Sequence, residues 1–119
     1  MNIAFIGGGN MARSLIGGLL GRGWRAEQIA VADPMPAQLD ALHAQFAVRV
    51  TDDNAVAARD ADIVLLAVKP QEMQRAADGI RTTIAAKRPL LISVAAGIRA
   101  IGLRAEIPQN FRHIPGNPN

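Results

Sequence analysis

The chain begins with a short apolar run that leads directly into a glycine-rich turn. Residues 3–6 have the composition of a buried strand, and the spacing G-x-G-x-x-A follows at once at Gly7, Gly9 and Ala12. In this pattern the first glycine allows a tight turn, the second lets the backbone approach a diphosphate, and the third small residue keeps the next helix close to the sheet. Free N–H groups at the start of that helix favour an anion. The opening residues therefore predict a dinucleotide-binding turn.

Apolar, strand-like runs alternate with helical patterns along the rest of the chain. The alternation has short spacing, which favours crossover connections and a parallel sheet. The predicted strands are residues 3–6, 29–32, 48–50, 63–68 and 90–94, and the predicted helices begin near Asn10, before Leu39, after Asp53 and at Pro70. We therefore expect an α/β fold, a single Rossmann-like domain with a doubly wound, mainly parallel sheet over residues 1–112, followed by a loop at 113–119.

Composition narrows the classes of protein to which the chain can belong. Half of its 119 residues are hydrophobic but only 3% are aromatic, which suits a sheet of small aliphatic side chains buried under helices. No uncharged apolar run reaches the ~18 to 20 residues of a membrane span, and the start does not resemble a signal peptide. The net charge is only +3, without a basic stripe or an aromatic stacking surface. We expect a soluble, cytoplasmic protein that binds neither nucleic acid nor membrane.

Several chemically distinctive residues follow predicted strands. In an open doubly wound sheet, ligands collect beyond the carboxyl ends of the strands, where the strand order reverses. The turn after the first strand, Asp33 after the second, residues 67–70 after the fourth and residues 93–97 after the fifth all fall at such ends. Their convergence predicts one cofactor site at this edge of the sheet.

Asp33 has two interpretations. At the end of the second strand, a carboxylate can accept hydrogen bonds from the adenosine ribose hydroxyls. It would then also repel a 2′-phosphate, and no Arg or Lys follows it until Arg49, which on charge alone favours NADH or a relaxed choice between NADH and NADPH. The alternative is a carboxylate that only stabilises the turn before Pro34.

Lys69 and the segment Ala95-Ala96-Gly97 also allow two interpretations. Lys69 directly follows the most hydrophobic strand, so it either lies along the cofactor or is a solvated side chain. The small residues at 95–97 either let a flat ring approach the backbone or pack under a helix. His43 and His113 have no partner pattern for a metal or a nucleophile, so we predict structural or surface roles for both. The chain has no cysteine, and we predict no metal site.

Three motifs together resemble the pyrroline-5-carboxylate reductase family. They are residues 5–12 (FIGGGNMA), 66–71 (LAVKPQ) and 92–98 (ISVAAGI), in the order and spacing of that family. The segment Arg112-His113-Ile114-Pro115-Gly116-Asn117-Pro118 also resembles the family's Arg-x-Met-Pro-Asn-Thr-Pro motif, with Gly116-Asn117 in place of Asn-Thr.

The resemblance implies an enzyme of proline biosynthesis that transfers hydride from NADPH or NADH to the C=N carbon of 1-pyrroline-5-carboxylate, an imino acid, to give L-proline. The resemblance also favours NADPH, because members of this family usually use it. The resemblance implies that the diphosphate binds at Gly7, Gly8, Gly9, Asn10, Met11 and Ala12, and that the adenosine side lies near Asp33, Pro34 and Asn54. It places the ribose and nicotinamide along Ala67, Val68, Lys69 and Pro70, and the nicotinamide ring near Ala95, Ala96 and Gly97.

Members of this family continue into a helical C-terminal domain that forms the dimer and much of the imino-acid pocket. We therefore assign no catalytic residue within these 119 residues. We expect the chain to bind cofactor but to reduce the imine poorly or not at all by itself. If the protein is a homo-oligomer, the resemblance implies that the C-terminal domain forms its contacts. Two alternatives remain: a dinucleotide-binding module without catalytic function, and the N-terminal domain of another imine or hydroxy-acid reductase.

Overall fold

The computed structural model describes residues 1–94 and the backbone of residues 99–102. Six strands and four α-helices lie in these ranges. In chain order they are β1 (Ile3–Ile6), α1 (Asn10–Gly21), β2 (Ile29–Ala32), α2 (Pro36–Phe46), β3 (Arg49–Thr51), α3 (Asn54–Ala58), β4 (Ile63–Leu66), α4 (Met73–Lys87), β5 (Leu90–Ser93) and β6 (Arg99–Gly102), with short 3₁₀ helices at Ala26–Gln28 and Pro70–Glu72.

The strands form one sheet in the order β3-β2-β1-β4-β5-β6. The first five strands are parallel, as predicted, and the strand order reverses between β1 and β4. β6 was not predicted: it pairs antiparallel with β5 at the edge of the sheet, with Ser93 opposite Arg99. Its four residues, Arg-Ala-Ile-Gly, show no clear apolar alternation, so only the pairing with β5 identifies them as a strand.

Helices cover both faces of the sheet, so the domain is doubly wound as predicted. On one face Phe5 and Val31 pack with Ile16 of α1 and Leu42 of α2. On the other, alternate strand residues such as Ile6 pack against the side chains of α3 and α4. Side chains alternate between the two faces along a strand, and in β1, β2 and β4 both sets are almost wholly buried, which explains why these three strands are apolar throughout.

The predicted element boundaries differ slightly from those observed. β3 begins at Arg49 instead of position 48, and β4 ends at Leu66 instead of position 68. Pro70 begins a 3₁₀ turn immediately before α4, which agrees with its predicted place at the start of a helix. His43 Nδ1 lies 3.1 Å from the Val48 carbonyl oxygen, a structural contact between α2 and the segment before β3. No helix of the described residues is long and apolar enough to cross a membrane.

A carboxylate at the amino end of the sheet connects three elements. The Asn2 N–H donates to Asp62 Oδ2 at 2.7 Å, and Lys87 Nζ, at the end of α4, lies 3.5 Å from Asp62 Oδ1. The hydrogen bond from the Asn2 N–H, followed by the charge of Lys87, lowers the pKa of Asp62. The folded state therefore favours the ionised carboxylate, which stabilises the fold above the unfolded pKa, near 3.8, and ceases to do so as the pH falls through the lower folded pKa.

We expect Asp62→Asn to lower the free energy of unfolding by less than about 1 kcal/mol at neutral pH, because the pair is partly solvated and screened. The difference from the parent should shrink as the pH falls below 3.8, the ordinary pKa of an aspartate carboxyl. Urea denaturation over a pH series measures it. Asp60→Asn, at an exposed neighbour, is the control for charge alone. A difference that stays constant down to the lowest pH would contradict this assignment.

Candidate cofactor-binding site

The carboxyl ends of β1, β2 and β4 meet at an open cleft of about 700 Å³. The cleft lies where the strand order reverses, the place expected for a ligand site in such a sheet. The predicted site residues that line it are Gly7, Gly8, Gly9, Asp33, Pro34, Asn54, Ala67, Val68 and Lys69. Asn10, Met11, Ala12 and Pro70 lie in the adjoining first turns of helices and are not part of the lining. Ala95, Ala96, Gly97, His113 and the 112–118 motif lie outside the described residues.

Gly7 has the tight-turn conformation expected of the first glycine. Its φ is +105°, a region that L side chains rarely adopt. A Cβ added there would overlap the Ala67 carbonyl oxygen and lie 2.9 Å from the Ala67 carbonyl carbon. The Gly7 N–H donates to the Ala32 carbonyl at 2.7 Å. The turn is therefore held between β2 and the end of β4.

Gly8 is required for packing, a role that the motif did not predict. The residue is buried, and a Cβ there would lie 2.7 Å from Leu42 Cδ1 and 3.3 Å from Val31 Cγ1. The missing side chain lets α2 approach the turn. Its N–H donates to Asp33 Oδ2 at 2.8 Å.

Gly9 differs from both neighbouring glycines. Its φ of −78° suits any residue, and a Cβ added there meets nothing within 4 Å. Neither its conformation nor its packing against the described residues requires glycine here. Gly9 also lines the cleft, so its bare backbone leaves space for a ligand to approach.

The start of α1 offers donors for an anion. Within the described part of the chain, the N–H groups of Gly9, Asn10 and Met11 have no hydrogen-bond acceptor, and no acidic residue lies in the first turn. Such N–H groups, at the positive end of a twelve-residue helix, attract anions. Ala12 is fully buried and packs α1 against the sheet, as its place in the motif predicted.

Asp33 lies in the cleft as predicted, but its carboxylate is already engaged. Oδ2 accepts from the Gly8 N–H, and Oδ1 accepts from the Met35 N–H at 2.9 Å. The residue is only 9% exposed. The bond to Met35 is the local turn contact of the alternative interpretation, whereas the bond to Gly8 crosses from β2 to the glycine turn.

The fold adds residues to the cleft that the motifs did not identify. These are Ile6, Met35, Gln38, Asp52, Glu72, Arg75 and Ala76. Met35 and Asp52 follow the predicted strands 29–32 and 48–50 by three and two residues, so their positions were a usable signal. Glu72 ends the 3₁₀ turn before α4, and Arg75 and Ala76 lie in the first turn of α4, so the packing of this helix on the sheet brings them to the cleft.

Cations lie on two sides of the cleft. Lys69 is exposed at the end of the segment after β4, and Arg75 Nη1 lies 3.9 Å from Glu72 Oε1. Arg13, on α1, donates from Nη2 to Gln38 Oε1 at 2.5 Å, and Gln38 lines the cleft. In the sequence no cation follows Asp33 until Arg49, but the fold brings Arg13 to this region from the preceding helix.

Comparison with known proteins identifies the family. The family model described as NADP oxidoreductase, coenzyme F420-dependent, matches residues 2–97. The chain belongs to this family.

Within the described residues, no three acidic or histidine side chains are grouped so that they could hold a metal ion.

Within the NADP oxidoreductase family, the resemblance to pyrroline-5-carboxylate reductases is confirmed. The chain is 44% identical over 119 residues to the pyrroline-5-carboxylate reductase of Pseudomonas aeruginosa, a match that covers 98% of this chain and 43% of that protein. The solved pyrroline-5-carboxylate reductase of Coxiella burnetii matches with a TM-score of 0.74 and 37% identity over 77% of this chain and 34% of that one. The chain thus spans less than half the length of these relatives.

A third comparison supports the fold. The Plasmodium falciparum pyrroline carboxylate reductase, whose crystal structure has NADP bound, matches with a TM-score of 0.65 and 23% identity, covering 79% of this chain and 33% of that one. At this identity the match supports the shared architecture alone.

Proposed function

We propose that this chain is the cofactor-binding domain of an NAD(P)H-dependent pyrroline-5-carboxylate reductase of proline biosynthesis. The observation that carries the proposal is the combination at the start of α1: N–H groups without an acceptor among the described residues, next to Gly9, where neither backbone conformation nor described packing requires a glycine. The reaction is inferred from the relatives, which are pyrroline-5-carboxylate reductases, and NADPH or NADH would bind in the cleft.

The residues of the cleft fit such a cofactor. The diphosphate would contact the N–H groups at positions 9–11, and the adenosine half would lie towards Asp33, Pro34 and Asn54. Lys69 would counter the diphosphate charge from the opposite wall, beside Ala67, Val68 and Pro70. We extend the proposal to Ala95, Ala96 and Gly97, beside the ring, on the family motif alone.

When bound, the cofactor supplies the hydride for the C=N carbon. The described residues of this chain bind and orient the cofactor, and we assign none of them a proton-transfer role. We propose that residues 1–112 form the cofactor domain, that 113–119 are a loop after it, and that the imino-acid pocket and the homo-oligomer contacts belong to the further length that the relatives have. A cytoplasmic location is part of the same proposal.

Binding and turnover assays test this assignment. We expect the 119-residue chain to bind NADPH or NADH in a fluorescence titration and to oxidise either cofactor with pyrroline-5-carboxylate far more slowly than the ~1 s⁻¹ typical of an enzyme. A chain of the relatives' full length should restore turnover. Failure to bind either cofactor would contradict the proposal. Binding with no turnover at any length would favour a non-catalytic module, and turnover only with other imines or hydroxy acids would favour a different reductase.

A further inference from the structure

We propose that Asp33 positions the diphosphate-binding turn through Gly8, and that it does not choose between NADH and NADPH. The inference rests on the proposed function, since it concerns the same cleft. Its basis is the pair of main-chain hydrogen bonds that a nearly buried carboxylate accepts, from Gly8 at 2.8 Å and from Met35 at 2.9 Å.

These bonds determine which N–H groups of the turn remain free. The Gly7 N–H is used by the Ala32 carbonyl, and the Gly8 N–H is used by Asp33, so two successive donors bind back to the end of β2. The next three, at positions 9 to 11, have no acceptor in the described chain. Hydrogen bonds to a carboxylate are stronger than neutral ones. Asp33 therefore holds the turn in the orientation that leaves those three donors available.

The two hydrogen bonds to the Asp33 carboxylate connect two walls of the cleft. Met35 and Gly8 belong to different loops, and Asp33 is the side chain that joins them. Gly8 is also packed against Leu42, so a turn that loses this bond cannot simply settle deeper against α2. We expect its loss to loosen the turn and to reduce the affinity for any ligand held by the turn.

Discrimination by Asp33 would require its charge to act on the adenosine ribose. Each carboxylate oxygen already accepts an N–H, and the residue is 9% exposed. The Arg13 guanidinium donates to Gln38, which lines the same cleft, and so adds a positive charge next to the lining. We therefore expect the loss of Asp33 to affect both cofactors alike.

The experiment compares Asp33→Ala with Asp52→Ala. Both variants remove one carboxylate from the cleft, but no hydrogen bond to the glycine turn involves Asp52 among the described residues. We expect Asp33→Ala to weaken NADPH and NADH each by about tenfold relative to Asp52→Ala, which is the loss of one charge-assisted hydrogen bond, with the ratio of the two affinities unchanged within about twofold. Weaker NADH with equal or tighter NADPH would show a ribose role and overturn the inference, as would an effect no larger than that of Asp52→Ala.

Amide exchange gives a readout that requires no cofactor. In Asp33→Ala the Gly8 N–H should exchange at least about tenfold faster than in the parent, while the Gly7 N–H, bonded to Ala32, should retain its protection. Asp33→Asn, which keeps one acceptor oxygen, serves if the alanine variant does not fold; in it, either Gly8 or Met35 should lose protection. Unchanged protection at both would overturn the inference. If the parent binds neither cofactor, the proposed function fails, and Gly8 exchange still decides the role of Asp33.

Discussion

Gly9→Val should abolish measurable binding of NADPH and NADH while changing the free energy of unfolding by no more than about 1 kcal/mol. The backbone at Gly9 is compatible with valine, and its Cβ position is open, so the folded chain tolerates the side chain. The branched side chain would occupy the space through which a diphosphate reaches the N–H groups at the start of α1. We expect affinity to fall by at least about 100-fold, or about 2.7 kcal/mol.

Fluorescence titration measures the affinity of Gly9→Val, and urea denaturation measures its stability. Gly9→Ala provides a graded comparison, because its single methyl should weaken binding less than the two further methyl groups of valine. If Gly9→Val binds either cofactor as the parent does, the diphosphate is not held at this turn and the proposed site is wrong.

Gly7→Ala should have the opposite profile and destabilise the fold by about 3 kcal/mol or more. Two effects add: alanine at a φ of +105° is strained, and its Cβ would overlap the Ala67 carbonyl oxygen, which is main chain and cannot rotate away. Because Ala67 N–H also donates to the Ile6 carbonyl, relieving the overlap would separate β4 from β1. The free energy of unfolding in urea measures this loss.

Gly18→Ala is the matched control for Gly7→Ala. Gly18 lies within α1, has ordinary helical φ and meets nothing within 4 Å of an added Cβ. The same methyl there should be neutral or should stabilise the chain by up to about 1 kcal/mol. Equal effects at the two positions would contradict the conformational role of Gly7.

The alternation of apolar runs with helical patterns was sufficient to predict the five parallel strands. The signal was strongest for β1, β2 and β4, because strands buried on both faces must be apolar throughout. The glycine spacing and the residues after β2 and β4 were sufficient to predict much of the cleft lining, because parallel strands bring their carboxyl ends to one edge. β6 could not be predicted in this way, since a short edge strand is defined by the partner that it pairs with. The contributions of Gln38 and Arg75 also escaped the motifs, since their helices bring them to the cleft.

The sequence by itself determined the fold class, the place of the ligand cleft and the family resemblance, because these depend on local patterns and on their order along the chain. Only the tertiary structure separated the three glycines into a strained turn, a packing contact and an open approach. Only the tertiary structure joined Asp33 to Gly8 and brought Arg13 into hydrogen-bond contact with Gln38. The physical reason is that these roles depend on atoms about 25 residues apart in the chain, whose distances are set by how helices pack on the sheet.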